Sequence, residues 1–559
     1  MKTIKYSLIL VIIILFTTNC GDKFLNRQDL YDFVDQNFYK TPDQISSALT
    51  AAYSELPGIG GSSDFTLMSN ILSDDCFDGG SANGDLYVHD LDQFTNHPNN
   101  YADIWSEYYK GINRSNAIIK NFSRATYTNV ADQNQALGEA YFLRSYFYFC
   151  LARLFGNVPL ITTPDAVNLP KASADALFGQ IASDMSTAIS DMKPLPITSL
   201  SDSSLGHATK WAAEGMMARI FLFYTGYYNK TLVSLPNGGT ITKAQVISWV
   251  DDCVANSGHS LIPDFRNQWP YADKALASLY AYNKKNNLSW VGDLGMTDST
   301  KESMFVIKYS VFGGWNLPSR VSYSNQLDLY TSMPEQPKVL PFGQGWGWGS
   351  ANPLLLQSFE AGDSIRRKGS IIDITDPDEG NCATKYVWGE NNCNNETGYW
   401  DKKYTSLQFK NGQSIYSLIY PSAPNLSNNQ LYNLQDEVLL RFADVLLMGA
   451  ELGSANAKSY LDMVRARVGL PSVPVTLDNI KRERRNELAF EGVRYWDLLR
   501  WHDVETAFAA VNSANIPVKS NNVSSTYSCT YRPETGGFLP IPETQIAISG
   551  GVLKQNPGW

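Results

Sequence analysis

Apolar residues recur at steps of three and four through most of the first 260 residues and again from residue 436 onward, a spacing that predicts amphipathic helices. In TPDQISSALTAAYSEL, Thr41 is placed to cap a helix and Pro42 to open it. The next helix is predicted to end near Ile71, and Ser73–Asn100, rich in Gly, Asp and Asn, reads as a loop. Long helices are predicted over Ile104–Phe122, Gln133–Phe155, Ala174–Met192, His207–Tyr227 and Gln245–Ser257. From Leu261 to Leu431 the helical period is lost and Gly, Asn, Pro, Trp and Tyr dominate, with one strand predicted at Ser303–Val311. Helix returns at Asp436 with EVLLRFADVLLMGAE, followed by Ser459–Val468.

The most distinctive helical pattern is Asn479–Trp501, NIKRERRNELAFEGVRYWDLLRW. Leu488, Gly492, Trp496 and Leu499 share one face of a single predicted helix, so Trp496 is expected in the core. Arg484, Glu487, Glu491 and Arg494 form a second row at steps of three, four and three, which predicts a ladder of Arg–Glu pairs, with Asp478 as cap. An arginine within one turn of each glutamate would keep both ionised, which argues against an acid/base pair.

Composition narrows the function classes. A chain of 559 residues with 43% apolar and 18% charged residues is globular and has ample core. Its formal charge of −10 argues against a nucleic-acid partner, since phosphate binding needs a basic surface. Lys2 and Lys5 precede an apolar run, Tyr6–Phe16, too short to span a bilayer of ~30 Å. The run leads to Cys20, so residues 1–19 read as a lipoprotein signal peptide, Cys20 as the lipidated residue and residues 20–40 as a tether.

The remaining cysteines show neither CxxC nor paired His spacing. Cys382 and Cys393, close together in a Gly/Asn-rich loop, are permitted a disulfide in an exported protein, whereas Cys150 reads as a buried free thiol. No HExxH, GxSxG, P-loop or GxGxxG–helix pattern is present, so no catalytic residue is assigned. No cofactor is expected. The nearest approach to a cation loop is DITDPDEG, Asp373–Gly380, which leaves a structural Ca²⁺ open.

Several blocks together resemble one family. These are WSEYYKGINRSNAII, GEAYFLRSYFYFCLARLFGNVPL, EVLLRFADVLLMGAE, the Asn479–Trp501 stretch and the ending FLPIPETQIAISGGVLKQNPGW. They resemble the SusD/RagB family of outer-membrane nutrient-binding lipoproteins. The resemblance implies a mostly α fold with a tetratricopeptide-type helical scaffold and a loop-rich region with a few short strands. Helix-pair starts near 105, 174 and 243 lie about 69 residues apart rather than ~34, so the repeat comes from the resemblance and not from the period. The expected divisions are a SusD-like helical region at 41–260, a loop-rich ligand region at 261–435 and a signature region at 436–559. The implied function is binding oligosaccharides at the cell surface, anchored by lipid to the outer membrane, and delivering them to a SusC-like TonB-dependent transporter. Peptide binding on the same fold, and glycan cleavage by a carboxylate pair brought together from distant positions, are the alternatives.

The loop aromatics are the ligand candidates, because a sugar presents a C–H face that packs on an indole or phenol. Trp290, Trp315, Tyr323, Trp346 and Trp348 lie among Asn, Gln, Ser and Gly. Each is equally compatible with plugging the core, and Trp290 and Trp348 lean that way. Asp78, Asn83 and Asp85 come from the earlier loop, where SusD-like proteins also contribute ligand contacts.

Overall fold

A computed structural model describes residues 38–559, apart from 58–63, 82–83, 96, 98, 166–167, 202–203, 292–300, 310–323, 335–338, 391, 411, 421–429 and 431. Five long helices, Ala102–Asn121, Val130–Phe155, Ala174–Asp191, Lys210–Tyr227 and Lys243–Asn256, pack each on the next. Side-chain caps start four of them: Asn129, Ser173, Thr209 and Thr242 each accept a backbone N–H of the first turn. Thr41 and Pro42 open the first described helix as expected, with Thr41 Oγ1 accepting from the Gln44 amide at 3.3 Å.

The helix Val130–Phe155 is the centre of the core. It is buried at every position from Phe142 onward, which no amphipathic surface helix would be. The helix Phe442–Leu452 packs against Lys210–Tyr227, Lys243–Asn256 and Ala457–Arg467. Residues from both ends of the chain, Tyr39 to Leu553, therefore enter one main buried cluster. The described strands form five small antiparallel pairs, among them Ser303–Ile307 with Glu437–Arg441. No helix among the described residues is long and apolar enough to cross a membrane.

Three expectations are corrected, and the open question of a Cys382–Cys393 disulfide is answered. EVLLR is a strand, Glu437–Arg441, buried at all five positions against Ser303–Ile307; a short apolar run without alternation carries no period to separate strand from helix. The 73–100 loop contains a helix, Leu86–Gln93. All six described cysteines, Cys382 and Cys393 included, are buried free thiols, and Cys150 is one of them as expected.

The largest correction falls on Asn479–Trp501. It is two helices, Leu477–Glu487 and Arg494–Arg500, because Phe490 and Gly492 take φ of 66° and 67° between them. Thr476, not Asp478, caps the first. The Arg–Glu ladder does not close on itself. Glu487 is bound by Arg366, Arg441 and Arg467; Glu491 by Lys403 and Arg441; Arg484 by Asp444 and Asp497; Arg494 by Asp74. Burial alone would raise the Glu487 carboxyl, but three arginines reverse this and hold it far below the usual glutamate range. Trp496 is in the core as expected, stacked on Phe65 at 5.7 Å with its Nε1 donating to Ser69 Oγ at 2.9 Å.

Candidate functional site

The two loops singled out in the sequence lie side by side. The chain from Cys76 to Gly80 runs antiparallel to Gly347–Ala351: Phe77 N donates to Ser350 O (2.8 Å), Gly349 N to Asp78 O (2.8 Å) and Gly80 N to Gly347 O (3.1 Å). The other edge of the second loop hangs on the helix Gln326–Thr331, whose start Asn325 caps; Trp346 N donates to Leu329 O (3.0 Å) and Trp348 N to Tyr330 O (2.8 Å). The first loop is in turn strapped to the broken signature segment. Arg494 grips Asp74 through two bonds of 2.7 and 2.9 Å, and Arg485 grips Asp75 at 2.6 and 2.8 Å.

These supports bring four rings together. Trp348 stacks on Tyr330 at 4.8 Å and 22°, Trp346 stands across Trp348 at 4.9 Å and 71°, and Tyr87 meets Trp348 edge-on at 5.3 Å. Trp348 and Tyr330 are 2% and 3% exposed, while Trp346 is 40% exposed, so one indole is presented to solvent on a rigid aromatic base. Gly80 makes the base possible: its φ is +67° and a Cβ there would lie 2.5 Å from Trp348 Nε1. That Nε1 and the Tyr87 hydroxyl are buried without a hydrogen-bond partner among the described residues.

The polar groups beside the rings divide into supports and rim. Asp78 is a support. It is 2% exposed, and its carboxylate accepts from the Gly79 amide (2.8 Å), Asn395 Nδ2 (2.9 Å) and His89 Nδ1. His89 Nε2 then accepts from Asn394 Nδ2 at 2.6 Å. Burial pulls the His89 pKa down, but its hydrogen bond to Asp78 and that carboxylate's charge outweigh this and leave it raised. Asp85 is half-buried at the rim, holding the Ser81 amide at 2.7 Å. A carboxylate enclosed like Asp78 does not face a bound sugar as acid, base or nucleophile.

Of the predicted site residues, Asp78, Asp85, Trp346 and Trp348 are thus assembled in one place. Trp290 is buried and packs edge-on against Tyr416 at 6.1 Å, and Trp348 is likewise buried, in line with their leaning towards core. Asn83, Trp315 and Tyr323 lie outside the described residues, as does Cys20. Tyr330, Tyr87, His89 and Asn394 were not legible beforehand: no motif marks them, and only the pairing of distant loops makes them neighbours.

The acidic turn 373–380 directs its carboxylates to its own chain. Asp373 accepts from Thr375, Asp376 pairs with Lys368, Asp378 with Lys285 and Lys368, and buried Glu379 with Lys402. No group of three or more His, Cys, Asp or Glu side chains arranged for a metal occurs among the described residues.

Comparison with known proteins matches both ends of the chain. The family described as "SusD family" matches residues 331–559, and the one described as "Starch-binding associating with outer membrane" matches residues 23–222. A SusD-like protein of Bacteroides ovatus is 24% identical over 515 residues, covering 86% of this chain and 80% of the relative. Among solved structures, a laminarin-binding SusD-like protein superposes with a TM-score of 0.71 at 24% identity, over 93% of this chain and 100% of that one. Surface glycan-binding protein A from Bacteroides thetaiotaomicron, in complex with laminarihexaose, superposes with a TM-score of 0.68 at 22% identity, over 92% and 99%. With a mostly α fold shared along nearly the whole described chain and family matches at both ends, the chain is SusD-like, similar to the SusD/RagB family from end to end of its described residues.

Proposed function

We propose that this chain is a surface-exposed outer-membrane lipoprotein that binds glycans, without cleaving them, and delivers them to a SusC-like TonB-dependent transporter. The observation that carries the reading is Trp346: a half-exposed indole held on Tyr330 and Trp348, beside the paired loop in which Asp85, His89 and Asn394 surround Asp78 and Gly80. An exposed indole face on a preorganised base takes the C–H face of a sugar ring, and polar neighbours take its hydroxyls. Relatives named for laminarin and solved with laminarihexaose support a glycan as the ligand class. The family description that mentions association with the outer membrane, and the apolar run ending at Cys20, support the location. An acylated cysteine would tether the protein, each buried CH₂ contributing about 0.8 kcal/mol.

The test is a glycan array followed by calorimetry on the hits, with product analysis after long incubation. A saturable glycan hit that is recovered intact is the expected result; released sugar would overturn the non-enzymatic reading. Cys20→Ala should leave the fold intact and move the protein from the membrane to the soluble fraction. An alanine variant still membrane-bound in cells without the transporter would rule the anchor out.

A further inference from the structure

The central helix carries two buried arginines with opposite surroundings. Arg144 is paired bidentately with Asp184, both bonds being 2.7 Å. Arg153, 2% exposed, forms no ion pair among the described residues. Its Nε has no partner, and one Nη lies 3.4 Å from Cys150 Sγ. Burial pushes that thiol up, so it stays neutral. Arginine does not shed its proton in a protein, so the charge remains.

The carboxylates bonded to the other arginines of this cluster are already taken. Asp444 binds Arg219 and Arg484, Asp497 binds Arg484 and Arg500, and Glu451 binds Arg500. Four guanidinium groups therefore face three carboxylates, and Arg153 is the one left over. The rings of Phe65 and Phe149, centred 4.2 and 4.1 Å from its guanidinium carbon, stabilise the cation through their faces but do not neutralise it.

A cavity of about 20 Å³ opens at this point, lined by Arg153, Arg219, Arg484 and Arg500 together with Phe149, Phe223, Val493, Trp496 and Asp497. It has room for one particle near the size of a water molecule. We infer that this cavity is a binding site for a monoatomic halide, chloride under natural conditions, held by Arg153 and Arg219 as a structural ligand of the core. A water there would satisfy the orphaned N–H and leave the charge uncompensated, which is costly in a buried site. A halide does both, and the volume excludes sulfate and organic anions. The least buried lining side chain, Arg219, is 14% exposed and marks the way in.

Crystals of the full chain grown in sodium bromide decide the matter. The expected result is an anomalous peak in the cavity between Arg153 and Arg219; no peak at saturating bromide overturns the site. In solution, the unfolding midpoint should rise with halide concentration at constant ionic strength against gluconate, because a ligand of the native state alone stabilises it by mass action. Arg153→Met, which keeps bulk and removes charge, should abolish that dependence. If the variant does not fold, the bromide map of the unaltered protein still decides.

Discussion

The signature segment and the Trp346 site both join stretches far apart in sequence, yet they use opposite chemistry. Around Leu477–Arg500, charges are buried: Arg366, Arg441, Arg465 and Arg484 are each 2% exposed or less, and each is bound to at least two carboxylates. Around Trp346, charge is sparse and rings do the joining. Buried ion pairs are a weak source of net stability but penalise any arrangement that separates them. Aromatic packing is more tolerant and leaves a face free for a ligand. The two regions meet where Arg485 and Arg494 hold Asp74 and Asp75, just ahead of the loop that carries Asp78 and Gly80. The ionic region thus positions the aromatic one.

Removing one charge from the ionic region should have the largest effect. Glu487→Gln leaves Arg366, Arg441 and Arg467 short of a carboxylate and should cost about 3–5 kcal/mol in chemical denaturation. Because the folded pKa of Glu487 is depressed, its contribution is fully present above the unfolded value of about 4.3 and is lost as pH falls towards the folded one. The stability gap between wild type and variant should therefore narrow below about pH 4. A gap independent of pH would mean that the loss is packing rather than charge.

Trp496→Ala should cost a similar or slightly smaller amount, roughly 3–5 kcal/mol at most, by emptying a site packed on Phe65 and Phe223. An unchanged unfolding midpoint would remove Trp496 from the core. Gly80→Ala tests the contact between the regions. It forces a Cβ onto Trp348 in a backbone conformation that alanine disfavours, so stability should fall by about 1–3 kcal/mol and glycan affinity should fall with it. Affinity unaltered alongside a lowered midpoint would show that the ring base does not position Trp346.

The smallest effect is expected where the ligand is proposed to bind. Trp346→Ala should move the unfolding midpoint little, by less than about 0.5 kcal/mol, because its ring is half-exposed. It should nevertheless weaken glycan binding by about 0.5–1.5 kcal/mol, up to roughly tenfold, in calorimetry. Full affinity in this variant would separate the site from the aromatic step and break the comparison.

Local chemistry was legible wherever a pattern repeats within a few residues. The spacing of apolar positions located the long helices from Ala102 to Asn256 to within a few residues at each end, and Thr41-Pro42 marked a helix start. Trp496 read as core because Gly492, Val493 and Leu499 lie at helical spacing from it. Ser73–Asn100 and the Trp346–Trp348 loop stood out by composition, and they are the two loops that pair. What failed were readings that assigned a local partner to a side chain whose partner is distant. The row Arg484–Glu487–Glu491–Arg494 has the spacing of a ladder, but the chain breaks at Phe490–Gly492, and each charge finds a stronger partner on another element. Sequence proximity left a Cys382–Cys393 disulfide open; the two are separate thiols, with Cys393 Sγ against the Gly347 carbonyl at 3.4 Å.

The sequence by itself therefore determined the helical scaffold, the SusD-like resemblance and the loops from which the proposed ligand site is drawn, since each is written in short-range spacing or in motifs. Tertiary structure alone decided which tryptophan is offered to solvent, which aspartate is a support, and which buried arginine lacks a carboxylate. Those outcomes depend on contacts between residues separated by up to several hundred positions, such as Asn394 with His89 or Arg494 with Asp74, and no local pattern encodes the other half of such a pair.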